Sequence, residues 1–262
     1  LRTLWIQSRQ TSQGHTILYW RDMSRQAELN QIKSDFLATA AHELRTPMTS
    51  ILGFTQLLAK DTMSTEERQK VFGILDRQTQ ALIHLVNDLL EISRMESLAG
   101  QDVQLSQQSL TTATRLVLEE FKVPGDDRPI HLNLRDHLAD IFLDQNKFRR
   151  VLLNVMSNAF KYSEPGSPIE IATCQRQTGS QYWYGLSIQD HGIGMSEAVL
   201  SRLGERFYRA QEKSEVIGTG LGLSMVKELM AQMGGELAIE SQPGQGTTVT
   251  LWFKTPRVRH PG

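Results

Sequence analysis

The apolar positions change their period along the chain, and each change marks a different kind of element. Residues 1–22 alternate: Leu4 and Ile6 precede Ser12-Gln13-Gly14, and Ile17, Tyr19 and Trp20 follow it. A period of two on either side of a turn predicts a hairpin. Two strands cannot bury both of their faces, so this hairpin reads as the end of a larger sheet. From Arg25 the period becomes helical and holds to about Ala59. Leu37, Ala41, Leu44, Met48, Ile51, Thr55 and Leu58 step by fours and threes as a seam. Pro47 cannot donate to the Glu43 carbonyl and is expected to kink that helix. Ser64 to Glu67 has the spacing of a capping box and opens a second helix. Its seam is regular: Val71, Leu75, Gln78, Leu82, Leu85, Leu89 and Ile92. A short connection between two such helices makes an antiparallel hairpin. Stripes too wide for two helices to cover predict a dimeric four-helix bundle.

Glu96 to Asp102, with Ala99-Gly100 inside it, reads as a linker, and beyond it the pattern is mixed. A helix is expected around 109–121 and strands at 130–135 and 141–143. Asp144 is placed to cap a helix from Gln145 to about Tyr162. Strands are expected at 169–174 and 183–189, followed by a glycine-containing stretch at 190–220. A helix near 221–233 and a hairpin of 236–241 with 247–254 complete the pattern. This order predicts an α+β two-layer sandwich with helices on one face of a sheet.

Composition narrows the function classes. A chain of 262 residues is comfortable for two domains. Lys plus Arg is 28 and Asp plus Glu is 29, a net charge of −1. That balance excludes a chain-wide polyanion binder, so no nucleic-acid partner is expected, while a local phosphate site stays open. The lone Cys174 excludes an intramolecular disulfide or a thiolate metal cluster. No run of apolar residues approaches the roughly 18 that a membrane helix needs, so no membrane segment is expected in this chain. Leu1 is not followed by a signal-peptide pattern, and the missing initiator methionine reads as a fragment, with any membrane anchor expected elsewhere.

Four polar constellations carry candidate chemistry. In His42-Glu43-Leu44-Arg45-Thr46-Pro47, the seam positions turn His42 outward, with Thr46 one helical turn along the same face. A neutral imidazole is a competent nucleophile, and a neighbouring carboxylate can hold its other nitrogen in one tautomer. A lone histidine on a helix face is ordinarily only solvated, and the other histidines are read so. Asn154, Asn158, Lys161 and Tyr162 share one helix face. Two amide oxygens a turn apart suit a hard, partly hydrated Mg²⁺, and the ammonium suits a phosphate. In isolation the same residues are the polar stripe of an amphipathic helix. Asp190-His191-Gly192-Ile193-Gly194 follows a strand, where a carboxylate can accept from an exocyclic amine while glycine backbone approaches a flat ring. Gly218-Thr219-Gly220-Leu221-Gly222-Leu223 opens a helix whose first amides form an anion site; it is neither a Walker A loop nor a dinucleotide fingerprint. Gly244-Gln245-Gly246-Thr247-Thr248 reads only as a good turn.

In this order the motifs resemble those of sensor histidine kinases of two-component systems. Residues 34–53, containing His42 to Pro47, resemble the H box, and Leu153 to Ser163 the N box. Asp190 to Gly194 resembles the G1 box, Glu205-Arg206-Phe207-Tyr208-Arg209 the F box, and Gly218 to Leu223 the G2 box. The resemblance spans residues 25–255. Residues 1–24 resemble the closing hairpin of a PAS sensor domain, with Asp22-Met23-Ser24 where that family often has Asp-Ile-Thr.

The resemblance implies three domains: a PAS-like hairpin at 1–24, a dimerisation and histidine phosphotransfer hairpin at 25–98, and a Bergerat-type ATP-binding domain at 99–257. It implies an ATP-dependent protein-histidine kinase that phosphorylates its own His42 and passes the group to an aspartate of a response regulator. Glu43 would orient the imidazole or accept its proton. Thr46, in an E-x-x-T pattern with Glu43, would position water for regulator dephosphorylation. ATP and Mg²⁺ are the implied cofactors. Asn158 would bind the magnesium, Asn154 and Lys161 would attend the phosphates, and Asp190 would read the adenine. Gly192, Gly194, Gly218, Gly220 and Gly222 would shape the pocket and its lid. Tyr162, Arg209, Thr219 and Leu221 complete the implied nucleotide contacts. A homodimer, a cognate regulator and a cytoplasmic location, including that of the cytoplasmic part of an inner-membrane sensor, are implied as well. Ile217 stands where a further glycine is common, and Met195 replaces the usual aliphatic residue after the G1 box. The enzyme alternative is another Bergerat ATPase, related to DNA gyrase, mismatch-repair or chaperone ATPases, which lack an H box. The non-enzyme alternative is an inactive dimeric scaffold that binds regulators.

Overall fold

Alternation at the N-terminus produces the expected hairpin in the computed structural model, which describes residues 2–10, 13, 16–59, 63–98, 103–123, 125–135, 140–204, 208 and 220–255. Strand β1 (Leu4–Gln10) pairs antiparallel with β2 (Thr16–Asp22), Leu4 opposite Asp22 and Gln10 opposite Thr16. Apolar side chains are exposed on both faces, Ile6 and Trp20 on one, Trp5 and Tyr19 on the other. The hairpin is stitched to the helix that follows. Met23 N–H donates to the Thr3 carbonyl at 2.8 Å, and Thr3 N–H donates to Ser24 Oγ at 2.8 Å. Ser24 N–H donates to Asp22 Oδ1 at 2.9 Å.

Helix α1 (Ser24–Leu58) runs on through Pro47 without interruption. The proline removes one intrahelical bond, but its ring is buried, and the Thr46 and Thr49 hydroxyls bond back to the His42 and Arg45 carbonyls. The inward stripe of α1 is Ala40, Leu44, Pro47, Ile51, Phe54 and Leu58. Leu37 and Met48, expected in the same seam, are each 58% exposed, and Leu52 is 59% exposed. The helix therefore carries two apolar stripes, of which one chain covers only the first. Helix α2 (Thr65–Leu98) starts at the expected capping box, in which Ser64 N–H donates to Glu67 Oε2 at 2.8 Å and Glu67 N–H to Ser64 Oγ at 3.3 Å. Val71 and Leu85 of its seam are buried, whereas Phe72, Ile83 and Leu90 are exposed. The chain divides into two compact units, Leu1–Leu85 and Val86–Gly262.

After the end of α2, the second unit continues with β3 (Ser106–Gln108) and α3 (Leu110–Glu120), then β4 (Ile130–Asn133) and β5 (Ile141–Leu143). Helix α4 (Gln145–Tyr162) follows, capped as expected by Asp144, whose Oδ1 accepts from Asn146 N–H and Lys147 N–H. The remaining elements are β6 (Ile169–Thr178), β7 (Gln181–Asp190), α5 (Glu197–Leu200), α6 (Gly222–Gln232), β8 (Glu236–Gln242) and β9 (Gly246–Lys254). Five strands form one sheet in the order β4-β6-β7-β9-β8, with β4 and β6 parallel and the other neighbours antiparallel. Strand β3 pairs with β5 in a separate ribbon. Residues of α3, α4 and α6 bury against the sheet in one core, with Phe148, Leu152, Met156, Ile171, Leu186 and Leu251 fully enclosed. This is the expected two-layer α+β sandwich. On the other face the Arg176 guanidinium lies between the Trp183 and Trp252 rings, 4.9 and 4.4 Å from their centroids. Strand β3 and helix α5 were not expected, because Ser-Gln-Gln and a single helical turn leave no apolar period to read. Among the described residues no helix is long and apolar enough to cross a membrane.

The core makes a direct prediction. Phe148 is fully buried and meets the Phe253 ring edge to face, centroids 5.8 Å apart. Phe148→Ala should cost about 3–5 kcal/mol through lost burial and a residual cavity. Urea unfolding of the whole chain measures this, and an unshifted midpoint for the second unit would contradict the packing.

Candidate functional site

Helix α4 places its polar face by burying its apolar one. Phe148, Val151, Leu152, Val155, Met156 and Ala159 go under the sheet, so Asn154, Asn158, Lys161 and Tyr162 are left along the opposite edge. Asn158 is half-buried, and no hydrogen bond among the described residues engages its amide. Partial burial holds the Lys161 ammonium below its ordinary range. Asn154 Nδ2 donates to the Arg150 carbonyl at 3.0 Å and faces Met225 Sδ at 4.0 Å. A methyl group on Gly222 would come within 2.9 Å of Asn154 Oδ1, so α6 begins directly against this amide.

Strand β7 delivers Asp190 at its last position, opposite Thr247 of β9. Asp190 is buried, and its Oδ1 accepts from Gly192 N–H at 2.9 Å and Thr247 N–H at 3.2 Å. Its Oδ2 takes no hydrogen bond from the described residues, so the carboxylate is aimed with one oxygen in reserve. Burial pushes this carboxyl above the usual aspartate range, against the lowering effect of the two backbone bonds.

The loop after Asp190 is held by contacts that exclude side chains. Ile193 N–H donates to the Tyr162 carbonyl at 3.1 Å, and a Cβ on Gly192 would lie 2.1 Å from that same oxygen. Gly194 has φ +62°, and a Cβ there would lie 1.8 Å from the Gln242 carbonyl oxygen. Gly244 N–H closes the contact on the Ile193 carbonyl at 2.7 Å. The turn between β8 and β9 is thus part of the site. Gly246 and Thr247 are the residues that sequence reasoning missed, since their motif looks like any hairpin turn. Only the register opposite Asp190 assigns them.

The structure therefore brings the end of α4 against the Asp190–Gly194 loop, and Asn154 against the start of α6. Gly220 has φ +67°, and Leu221 is fully buried just before α6. Arg209, Gly218 and Thr219 lie outside the described residues, as do Glu205, Arg206 and Phe207. His42, Glu43 and Thr46 lie on α1 of the first unit. The His42 side chain is 74% exposed, with Nδ1 3.9 Å from Glu43 Oε1. The Thr46 hydroxyl donates to the His42 carbonyl at 3.3 Å.

Gly194→Ala should push the loop off the hairpin, both by its φ and by the clash with Gln242. The expected result is lost hydrogen-exchange protection at the Gly244 and Thr247 amides. Wild-type protection at both amides would refute the close packing.

Comparison with known proteins finds similarity in two stretches of the chain. Residues 32–98 match the His Kinase A (phospho-acceptor) domain, and residues 143–257 match the family described as histidine kinase-, DNA gyrase B-, and HSP90-like ATPase. The chain is 32% identical over 236 residues to the sensor protein GacS of Pseudomonas syringae pv. syringae, covering 88% of this chain and 26% of that protein. It is 29% identical to the sensor histidine kinase WalK of Bacillus subtilis, covering 88% of this chain and 38% of that protein. The chain thus spans well under half of these relatives. Among solved structures, ShkA in complex with AMPPNP superposes with a TM-score of 0.58 at 27% identity, covering 85% of this chain and 46% of that one. The histidine kinase ThkA, solved in complex with response regulator protein TrrA, shares the fold at a TM-score of 0.68 and 18% identity, covering 98% of this chain and 76% of that one. By these two matches the chain carries a His Kinase A (phospho-acceptor) domain followed by a histidine kinase-, DNA gyrase B-, and HSP90-like ATPase domain, and along most of its length it is similar to sensor histidine kinases.

Proposed function

We propose that this chain is an ATP-dependent protein-histidine kinase that phosphorylates His42 and passes the phosphoryl group to an aspartate of a response regulator. The observation that carries the reading is His42 itself, 74% exposed on a helix face with a carboxylate beside Nδ1. With the proton on Nδ1 directed toward Glu43, Nε2 keeps its lone pair for attack on the γ-phosphorus. The bond to the β,γ-bridging oxygen breaks, ADP leaves, and Glu43 stabilises or accepts the Nδ1 proton. The chain's contribution is then mainly positioning and charge.

The second unit is the proposed nucleotide site. Asp190 Oδ2 accepts from the adenine amine, while Gly192 and Gly194 let backbone approach the ring. Lys161 and Asn154 attend the phosphates from α4. Tyr162, Arg209, Gly218, Thr219, Gly220, Leu221 and Gly222 complete the contacts. Asn158 fits magnesium as a single, unengaged neutral amide oxygen, which suits an ion held largely by phosphates and water. When bound, the ion supplies charge neutralisation between the phosphates.

The proposed domains are a PAS-like hairpin at 1–24, the phosphotransfer hairpin at 25–98 and the ATP-binding domain at 99–257. The uncovered stripes of α1 and α2 support a homodimer, since Leu37, Met48, Leu52 and Phe72 remain exposed in one chain. ThkA was solved with a response regulator, which supports a regulator as the phosphoryl acceptor here too. Thr46 is proposed to hold a water for regulator dephosphorylation. Its hydroxyl donates to the helix backbone and keeps its lone pairs for that water. A cytoplasmic location is proposed with this activity.

Two outcomes test the reading. His42→Gln should abolish acid-labile, base-stable incorporation of labelled phosphate from ATP while nucleotide binding stays near wild type. Label retained at the wild-type level would remove His42 from the mechanism. Acidification should weaken binding of a fluorescent ATP analogue as the Asp190 carboxylate, needed as an acceptor, becomes protonated. Because burial raises this pKa, the loss should centre above the ordinary aspartate value of 3.8. Asp190→Asn should bind weakly at neutral pH without that limb. Undiminished affinity in Asp190→Asn would remove the adenine role.

A further inference from the structure

Arg128 stands just before β4, outside every motif that the nucleotide site uses. Its side chain is 2% exposed, and a buried guanidinium is retained only where its charge and donors are matched. Here they are matched. Arg128 Nε donates to both carboxylate oxygens of Asp126 at 3.0 Å, and a second guanidinium nitrogen pairs with Asp126 Oδ2. The Phe160 ring lies 4.5 Å below the guanidinium carbon. The remaining arm donates to Ser163 Oγ at 2.6 Å, and that hydroxyl donates to the Ala159 carbonyl.

Ser163 closes α4 and also starts the contact with the Asp190 loop. Its backbone bridges to Gly192, and the preceding Tyr162 carbonyl accepts from Ile193 N–H. A Cβ on Gly192 would lie 2.8 Å from Ser163 Cα, so the two segments meet without slack. Arg128 is itself anchored to the sheet through the next residue, because Ile169 N–H donates to the Pro129 carbonyl at 3.0 Å. A continuous path runs from the sheet through Pro129, Arg128 and Ser163 to Gly192, with Asp126 matching the charge of Arg128.

We propose that Arg128 is a positioning residue for nucleotide binding: its Asp126-matched guanidinium holds Ser163, and Ser163 sets the Asp190–Gly192 loop against the end of α4. Arg128 touches no nucleotide in this account. It acts by fixing the spacing between the adenine-reading loop and the phosphate-facing helix. The proposal rests on reading Asp190 and Gly192 as nucleotide contacts. The positive charge also favours the ionised form of Asp190, though less than the Gly192 and Thr247 amides do.

The test uses the whole chain carrying Asp126→Asn with Arg128→Met, which removes the ion pair as a unit, and separately Ser163→Ala, which removes one hydroxyl. Affinity for a fluorescent ATP analogue and the autophosphorylation rate at saturating ATP are measured on both, with thermal unfolding alongside. The double variant should bind about five- to twentyfold more weakly, and Ser163→Ala about three- to tenfold, as expected for losing a charge-assisted anchor. The rate at saturating ATP should fall by less than about twofold, because a misplaced loop taxes binding and is repopulated by ligand. A purely structural role would do the reverse, lowering the active fraction and the saturated rate at unchanged affinity, and that result overturns the proposal. Should the double variant not fold, Ser163→Ala decides alone, and wild-type affinity there overturns it as well. Asp190→Asn in the parent chain separates the two levels: wild-type affinity in that variant sinks the nucleotide reading, and this inference with it. Weak binding there beside wild-type binding in both anchor variants sinks the inference alone.

Discussion

The second unit depends on backbone approaching backbone where no Cβ could fit. Gly192 meets the Tyr162 carbonyl, Gly194 meets Gln242, and Gly246 meets the Asp190 carbonyl, each closer than a side chain allows. These approaches bring the end of α4, the loop after β7 and the turn between β8 and β9 into one place. Asp190 can then be buried and still be satisfied, because Gly192 and Thr247 supply amides to the same oxygen. Those two amides offset part of the burial that raises its pKa. The glycines therefore set both the shape of the site and the surroundings of Asp190.

The same economy of contacts explains α4. One face supplies the largest share of the core, and the residues left over form its polar edge. Asp144 caps the helix and also accepts from Gln104 N–H at 2.8 Å, so one side chain joins the start of the helix to the incoming chain. At the other end Ser163 joins the helix to the Asp190 loop and to Arg128. A helix tied at both ends keeps its polar edge in a fixed place relative to the sheet.

The first unit works by the opposite principle. Its helices leave apolar stripes uncovered and present His42 to water. Asp22, Ser24 and Thr3 tie the hairpin to the first turn of α1, the helix that carries His42. The Thr46 hydroxyl steadies the backbone beside Pro47 and stands a helical turn from the imidazole.

Much of this was legible without coordinates. Helical period and the Ser64–Glu67 cap defined α2, and the Asp144 cap with the run from Gln145 defined α4. The five ordered motifs pointed to the family. These signals are local: a period, a cap or a glycine pattern is carried by neighbouring residues whatever lies across from them. What the sequence could not determine is non-local. It did not distinguish the inward stripe of α1 at Ala40, Pro47 and Phe54 from the outward one at Leu37 and Met48, because both are apolar and only the packing of the hairpin separates them. It did not show that Thr247 faces Asp190 or that Arg128 reaches Ser163, since strand register and a salt-bridged arginine leave no periodic trace. The sequence by itself determined most of the elements, the fold class and the residue types available for chemistry. Tertiary structure decided which of those residues meet, because burial, register and the absence of a Cβ act only when distant segments are brought together.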